Sequence, residues 1–287
     1  MLTVNPLRGK MLVVERRTQR LVAGWLTTYR SDNTRDAYER DMVAFVRWCA
    51  ATGRDPLRAS PSDLDAYRDD ALTAGASAAT VTRRLSGIAS FFRYANDVGA
   101  LDANPVDQVE RPEADAAAPA TLDDGELASL LDAADEHGPK TAALVALLAL
   151  DGMKLGEVLA IDVPSVRVGR KSVSIEVSRR GADENVALAP RTAAAVAAYL
   201  ADRRRGPLFL GDSPVAAKRA RLSRFGADFI VKRTGASAGI GKPVSASILR
   251  RTYIETQHRA GTPLADIAQH VGHRDVRDTA RLLENDA

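Results

Sequence analysis

The residues of this chain that could do chemistry are mostly basic, and they are clustered. Between Ala201 and Thr234 stand nine basic residues (Arg203, Arg204, Arg205, Lys218, Arg219, Arg221, Arg224, Lys232 and Arg233) against three acidic ones, and Met1 to Arg30 holds six against one. From Asn104 to Glu136 the balance reverses to ten acidic and one basic. A net charge of only +3 therefore hides a segregation that suits a chain holding a polyanion at chosen surfaces. Each run taken singly also fits a solvated helix face. Helical spacing over Leu222 to Thr234 turns Phe225, Phe229 and Ile230 inward and Arg221, Arg224, Lys232 and Arg233 outward. Cys49 is the single cysteine, which excludes an internal disulfide and a Cys-rich zinc site. His137, His258 and His270 lack metal-ligand spacing, so no metal or cofactor is expected. Ser247 offers a hydroxyl with no base evident beside it. Tyr253, one helical turn after Arg250, reads as core.

The most specific pattern lies in three segments near the C-terminus: Val244-Ser-Ala-Ser-Ile-Leu-Arg-Arg-Thr-Tyr253, Gly261 to His273, and Asp278-Thr-Ala-Arg-Leu-Leu283. In order and spacing, without a gap, they resemble the C-terminal half of the tyrosine recombinase (phage integrase) catalytic domain. That family reads His-x-Leu-Arg-His-Thr, then Leu-Gly-His, then Thr-Thr-x-x-Tyr. Upstream, Asp151-Gly-Met-Lys-Leu-Gly-Glu-Val-Leu-Ala-Ile-Asp162 resembles the family's Thr-Gly-x-Arg-x-x-Glu box. The resemblance puts Arg250 at the second catalytic arginine and His273 at the Gly-His histidine. It puts Lys154 at the first arginine, Ser247 at the box histidine and Leu282 at the nucleophilic tyrosine. Arg179 and Arg180 are the basic residues nearest the family's catalytic lysine, and Glu157 falls on the box glutamate, with a local structural role expected. The family cuts DNA by attack of a tyrosine phenolate on a phosphodiester. Leucine has no nucleophilic atom, and no tyrosine follows Tyr253. Lysine keeps the charge of the first arginine without its planar fork. Arginine in place of the catalytic lysine is a poor proton donor. Arg250 and His273 remain suited to holding a phosphate of intact DNA; His273 equally fits a structural helix-end residue.

These groups need a scaffold, and apolar periodicity supplies one. Helices are predicted over Val13–Thr28, from Asn33-Thr34 to Gly53, from Ser60 through Leu72, and from Ser77 to Gly99. Asn33-Thr34, Tyr38, Asp41, Phe45 and Trp48, then Thr80-Val-Thr-Arg-Arg-Leu-Ser-Gly-Ile88, Phe92 and Asn104-Pro105, resemble the same family's core-binding domain. Arg83 and Arg84 on the fourth helix are either DNA contacts or a solvated pair. Residues 107–120 read as a linker, the element that in the family lets two domains close on duplex DNA. Further on, Thr121 to Ala134 and Pro190 to Arg204 are predicted helices, and Thr141–Leu150 a buried one. Val166–Val177 is predicted as two strands around Gly169-Arg-Lys171. Ser178–Asn185 is predicted as a polar turn, and Val186–Leu188 as a third strand. The expected fold is mainly α, with a four-helix SAM-like core-binding domain ahead of an α+β catalytic-type domain carrying a small antiparallel sheet. The expected division is an arm at 1–12, the core-binding domain at 13–106, the linker at 107–120 and the catalytic-like domain at 121–287.

No apolar run approaches the roughly 18–20 residues of a membrane span, and Met1–Met11 does not read as a signal peptide. The expectation is a cytoplasmic, nucleoid-associated protein. The resemblance implies double-stranded DNA as partner, with this chain itself or a related recombinase as a further partner. The sequence ends four residues after Leu283, where family members usually continue into a docking tail, so a cyclic tetramer is less expected. Three functions stay open. The first is a DNA-binding chain that acts by site occupancy, through Arg83, Arg84, Lys154, Arg179, Arg180, Arg221, Arg224, Arg250 and His273. The second is an active recombinase with its nucleophile elsewhere. The third is an interaction module that has lost DNA binding.

Overall fold

The computed structural model describes residues 16–29, 31–101, 104–112, 121–169, 172–179, 181–211 and 220–284. The arm at 1–12, most of the predicted linker, Arg180, Lys218 and Arg219 lie outside the described residues. The chain divides into two compact units, Met1–Ala116 and Ala117–Ala287.

The first unit holds α1 (Arg16–Thr27), α2 (Asp32–Ala51), α3 (Pro61–Thr73) and α4 (Ala78–Asp97). Their starts follow from local chemistry, because the first backbone N–H groups of a helix need acceptors. Ser31, Ser60 and Ser77 supply them to Thr34, Asp63 and Thr80, and Ser60 with Asp63 completes a reciprocal capping box. The apolar stripes of the four helices meet on Trp25, Phe45, Leu64, Leu85, Ile88 and Phe91. Asp41 is buried in that unit and ion-paired with Arg83 of α4.

The second unit begins with α5 (Asp124–Glu136), α6 (Pro139–Ala149) and α7 (Leu155–Ala160). Every residue of α6 from Thr141 to Ala149 is buried, so α6 is the central rod of this core. A three-stranded antiparallel sheet follows: β1 (Val166–Val168), β2 (Val173–Arg179) and β3 (Ala182–Ala187), in the order β1-β2-β3. Then come α8 (Pro190–Leu200), α9 (Arg224–Ser237), α10 (Ala246–Arg259), α11 (Leu264–His270) and α12 (Val276–Glu284). The fold is mostly helical with one small antiparallel sheet, as the residue pattern predicts.

Two local expectations need correction. The polar stretch Ser178–Asn185 is not a turn: β2 runs to Arg179, which pairs with Ala182, and Asp183, Glu184 and Asn185 are all in β3. Ladder bonds are made by the backbone whatever the side chain, and β3 turns most of its side chains outward. Nor do Phe225 and Phe229 face inward on α9. They are 82% and 57% exposed, whereas Ala227, Ile230, Val231 and Thr234 are buried. The facing is set by small residues: a Cβ on Gly235 would stand 2.5 Å from a methyl of Val244. The helix therefore seats itself by its narrow side, and its large aromatics are left outside.

Candidate DNA-phosphate site

Gly152 to Lys154, at the start of α7, form one wall of the site. Gly152 has φ +58°, and a Cβ there would lie 2.3 Å from the Tyr253 ring, so both conformation and space demand glycine. Lys154 is the N-cap of α7, and Glu157 accepts its backbone N–H at 3.1 Å. The opposite wall is α10, with Ser247, Arg250 and Tyr253 about one helical turn apart along one face. Tyr253 is buried and stacks on His270 at 5.4 Å between ring centroids. His270 in turn donates through Nε2 to the Asp151 carbonyl at 3.1 Å.

Arg250 joins the two walls. Its Nη1 donates to Gly152 O at 2.5 Å and its Nη2 to Val271 O at 2.6 Å. Burial pushes its guanidinium down to about 10; Glu157 pulls it up and Arg179 pushes it further down. At neutral pH it is still a cation. A guanidinium carries five N–H groups, and these two bonds leave others for an oxyanion. Lys154 reaches the same loop, with Nζ 3.2 Å from Gly272 O and 3.9 Å from Glu157 Oε1. A cavity of about 730 Å³ opens beside them, lined by Lys154, Arg224, Phe225, Ser245, Ser247 and Arg250 among others. Cations at the floor and mouth of an open cavity are the arrangement that receives a phosphate.

Arg179 lies beneath this cavity rather than in it. Its side chain is 4% exposed. Its Nε and Nη2 grip both oxygens of Glu157, at 3.2 and 3.1 Å, and its Nη1 donates to His270 O at 2.7 Å. Gly272, at φ +67°, leaves the room it needs: a Cβ there would stand 2.9 Å from Arg179 Cδ. The residue read from sequence as a phosphate contact is therefore an internal tie between β2, α7 and the C-terminal end of α11. The strand period contains the signal for this, because Val173, Ile175, Val177 and Arg179 fall on one buried face. Glu157 has the structural role expected of it.

The last three elements complete the site. His273 and Thr279 share a 2.8 Å hydrogen bond that links the loop to α12; Thr279 is fully buried and was not singled out from sequence. Leu282 and Leu283 of α12 pack on Tyr253, Ile254, Ile267 and Val271. Ser247 Oγ is 2.9 Å from Ser245 Oγ, and among the described residues no imidazole or carboxylate is hydrogen-bonded to either hydroxyl. Burial pushes the Tyr253 phenol up to about 12, with Asp151 adding to the rise and Arg250 opposing it, so it is a poor source of phenolate.

The other nominated residues stand elsewhere. Arg224 is at the cavity mouth. Arg221 donates to the carbonyls of Leu159 and Ile161 and pairs with Asp162 at 2.6 Å, so it fastens a loop rather than lining α9. In the first unit Arg83 is half exposed over Asp41, and Arg84 is partly buried near Tyr67.

Residues 120–286 match the phage integrase family, and residues 24–99 match the N-terminal SAM-like domain of phage integrases. The chain belongs to the phage integrase family. A tyrosine recombinase XerC of Rhodospirillum centenum is 30% identical over 285 residues, covering 92% of this chain and 81% of that relative. A tyrosine recombinase XerD of Caulobacter vibrioides is 29% identical over 261 residues, covering 86% and 84%. Among solved structures, the Tn1549 transposon integrase in complex with circular intermediate DNA has a TM-score of 0.70 at 16% identity, covering 92% of this chain and 94% of that one. The XerH site-specific recombinase bound to a palindromic difH substrate has a TM-score of 0.69 at 14% identity, covering 94% and 86%. At these identities the two structures speak for the fold alone. Among the described residues no helix is long and apolar enough to cross a membrane.

Proposed function

We propose that this integrase-family chain binds duplex DNA and acts by occupying its site, without cutting the strand through residue 282. The observation that carries the reading is the contrast within one site. Arg250 and Lys154 stand at an open, cation-lined cavity, while Leu282, at the family's tyrosine position, is packed with Leu283 on an apolar cluster. Phosphate can be held there, and no side chain at 282 can attack it. The residues proposed to touch DNA are Lys154, Arg224, Arg250 and His273 in the second unit and Arg83 and Arg84 in the first, with Arg180 proposed from sequence. Arg179 and Arg221 are retained as supports for that surface. A chain with this chemistry serves as a repressor, or as an accessory or competitor of a related recombinase. The proposed layout remains an arm, a core-binding domain, a linker and a catalytic-like domain.

A second reading, an active recombinase, is favoured by similarity to proteins named tyrosine recombinases along most of their length. One experiment separates the two. Labelled duplexes, including a nicked suicide substrate, are incubated with the full chain and run on native and denaturing gels. Site occupancy predicts a salt-sensitive shift that vanishes on denaturation. A protein–DNA band surviving denaturation means a covalent nucleophile, and the occupancy reading fails.

A further inference from the structure

The carboxyl of Asp151 has no role in the reading so far. The residue stands where the family box reads threonine, and it is 2% exposed. Its Oδ1 accepts the Ala189 backbone N–H at 2.8 Å, at the head of α8. Among the described residues, neither its Oδ2 nor the buried Thr192 hydroxyl of α8 has a hydrogen-bond partner. Burial pushes this carboxyl above its usual 3.8; the Thr192 hydroxyl, close by but outside hydrogen-bonding geometry, pulls it back, as do the Ala189 N–H and His270. A buried carboxyl with one oxygen unpartnered costs stability. Its placement, rather than its packing, has to account for it.

That placement is next to Gly152. The Gly152 carbonyl is one of the two that orient the Arg250 guanidinium, at 2.5 Å. A glycine has the widest backbone freedom of any residue and no side chain to anchor it, so Gly152 is held by its neighbours. On one side the Met153 N–H donates to Leu147 O at 3.1 Å. On the other, Asp151 is held twice, by its carboxyl on α8 and by its carbonyl on His270 Nε2 at 3.1 Å. Three helices, α8, α11 and α10, thus meet on two consecutive residues.

We infer that Asp151 is a positioning residue for phosphate binding: it pins the Gly152 carbonyl, which turns Arg250 so that its remaining N–H groups meet an oxyanion at the cavity. This rests on the DNA-binding reading above and adds to it a residue that never touches DNA. A guanidinium holds phosphate through a planar fork whose direction matters, whereas an ammonium has no fork to misalign.

The test uses the full chain and short duplexes that it enriches from a random pool. Asp151→Ala is expected to weaken binding about tenfold. Asp151→Asn keeps an oxygen for the Ala189 N–H and is expected to bind within about twofold of wild type. It should also melt no lower at neutral pH, since a carboxyl raised above 3.8 costs stability as pH climbs past that value. On an Arg250→Lys background the loss from Asp151→Ala is expected to shrink to about twofold or less, because no fork remains to be aimed. His270→Phe keeps a ring on Tyr253 and drops the bond to the Asp151 carbonyl. It is expected to cost about threefold, again only where Arg250 is present, and it carries the test should Asp151→Ala fail to fold. Equal losses on both backgrounds mean a purely structural role and overturn the inference. Asp151→Asn binding as weakly as Asp151→Ala overturns it too, and so does Arg250→Lys binding as wild type. Each of these leaves salt-sensitive DNA binding standing. Absence of such binding to any duplex overturns the DNA-binding reading, and this inference with it.

Discussion

Arg83 and Arg179 are both ion-paired across a seam between elements, yet they do opposite work. In the seam between α2 and α4, Arg83 keeps 49% of its side chain exposed above an Asp41 that keeps 3%. In the seam between β2 and α7, Arg179 keeps 4% and Glu157 12%. The first arginine neutralises a buried carboxylate from outside and keeps its outer edge exposed. The second has spent its donors on Glu157, Glu184 and His270 O and cannot leave without unmaking the contacts it holds. A basic residue in sequence is therefore a claim on an anion that another part of the protein can already have met.

The comparison is broken most severely by Arg179→Ala. That change takes the closer cation from the half-buried Glu157, leaving it Lys154 at 3.9 Å, and is expected to cost about 3 kcal/mol. Denaturant unfolding measures it, and a loss under about 1 kcal/mol shows that Arg179 is not an internal tie. Next is Arg83→Ala, which leaves Asp41 buried without its ion pair. A loss of about 1–3 kcal/mol is expected, most of it absent when Asp41→Asn is made as well; a double-mutant cycle reads this coupling. Arg224→Ala has the converse signature. Stability changes by no more than about 0.5 kcal/mol, while the slope of log affinity against log salt falls by about 1; an unchanged slope removes Arg224 from the phosphate contacts.

The smallest effect is one of pH. Asp63 is held at about 2, below the usual 3.8, by the Ser60 backbone N–H first and then by Arg54 and the Ser60 hydroxyl. A carboxylate depressed in the folded state contributes stability that is whole above 3.8 and disappears as pH falls toward 2. Asp63→Asn should flatten the acid limb of the stability curve across that window. An identical limb in the variant shows that the cap of α3 does not set acid tolerance.

Most of the helices were legible because their apolar residues recur at helical spacing and their starts carry serine or aspartate caps. Ser60-Pro61-Ser62-Asp63 is an example in which the cap, the first-turn proline and the acidic residue agree. Motif spacing brought forward Lys154 and Arg250, which line one cavity and donate to the carbonyls of Gly272 and Val271. What stayed hidden was competition for the same side chain. Nothing in the Arg179-Arg180 pair says that the first member is on a buried face until the alternation from Val173 is followed to its end. The orientation of α9 was misread for a similar reason. Hydrophobicity pointed Phe225 and Phe229 inward, but the close approach of Gly235 to Val244 decided the rotation of the helix. A glycine's absence of bulk outweighed two aromatics' preference for the core.

That seating of α9 has an evolutionary consequence. The residues that fix the helix, Ala227, Val231 and Gly235, are distinct from those it displays, Phe225, Phe229, Lys232 and Arg233. Substitutions on the display side leave the mount untouched, so each can be tried by mutation without endangering the fold. The helix is an exchangeable tool in a permanent holder, and lineages carrying it can change what it touches while keeping how it is held.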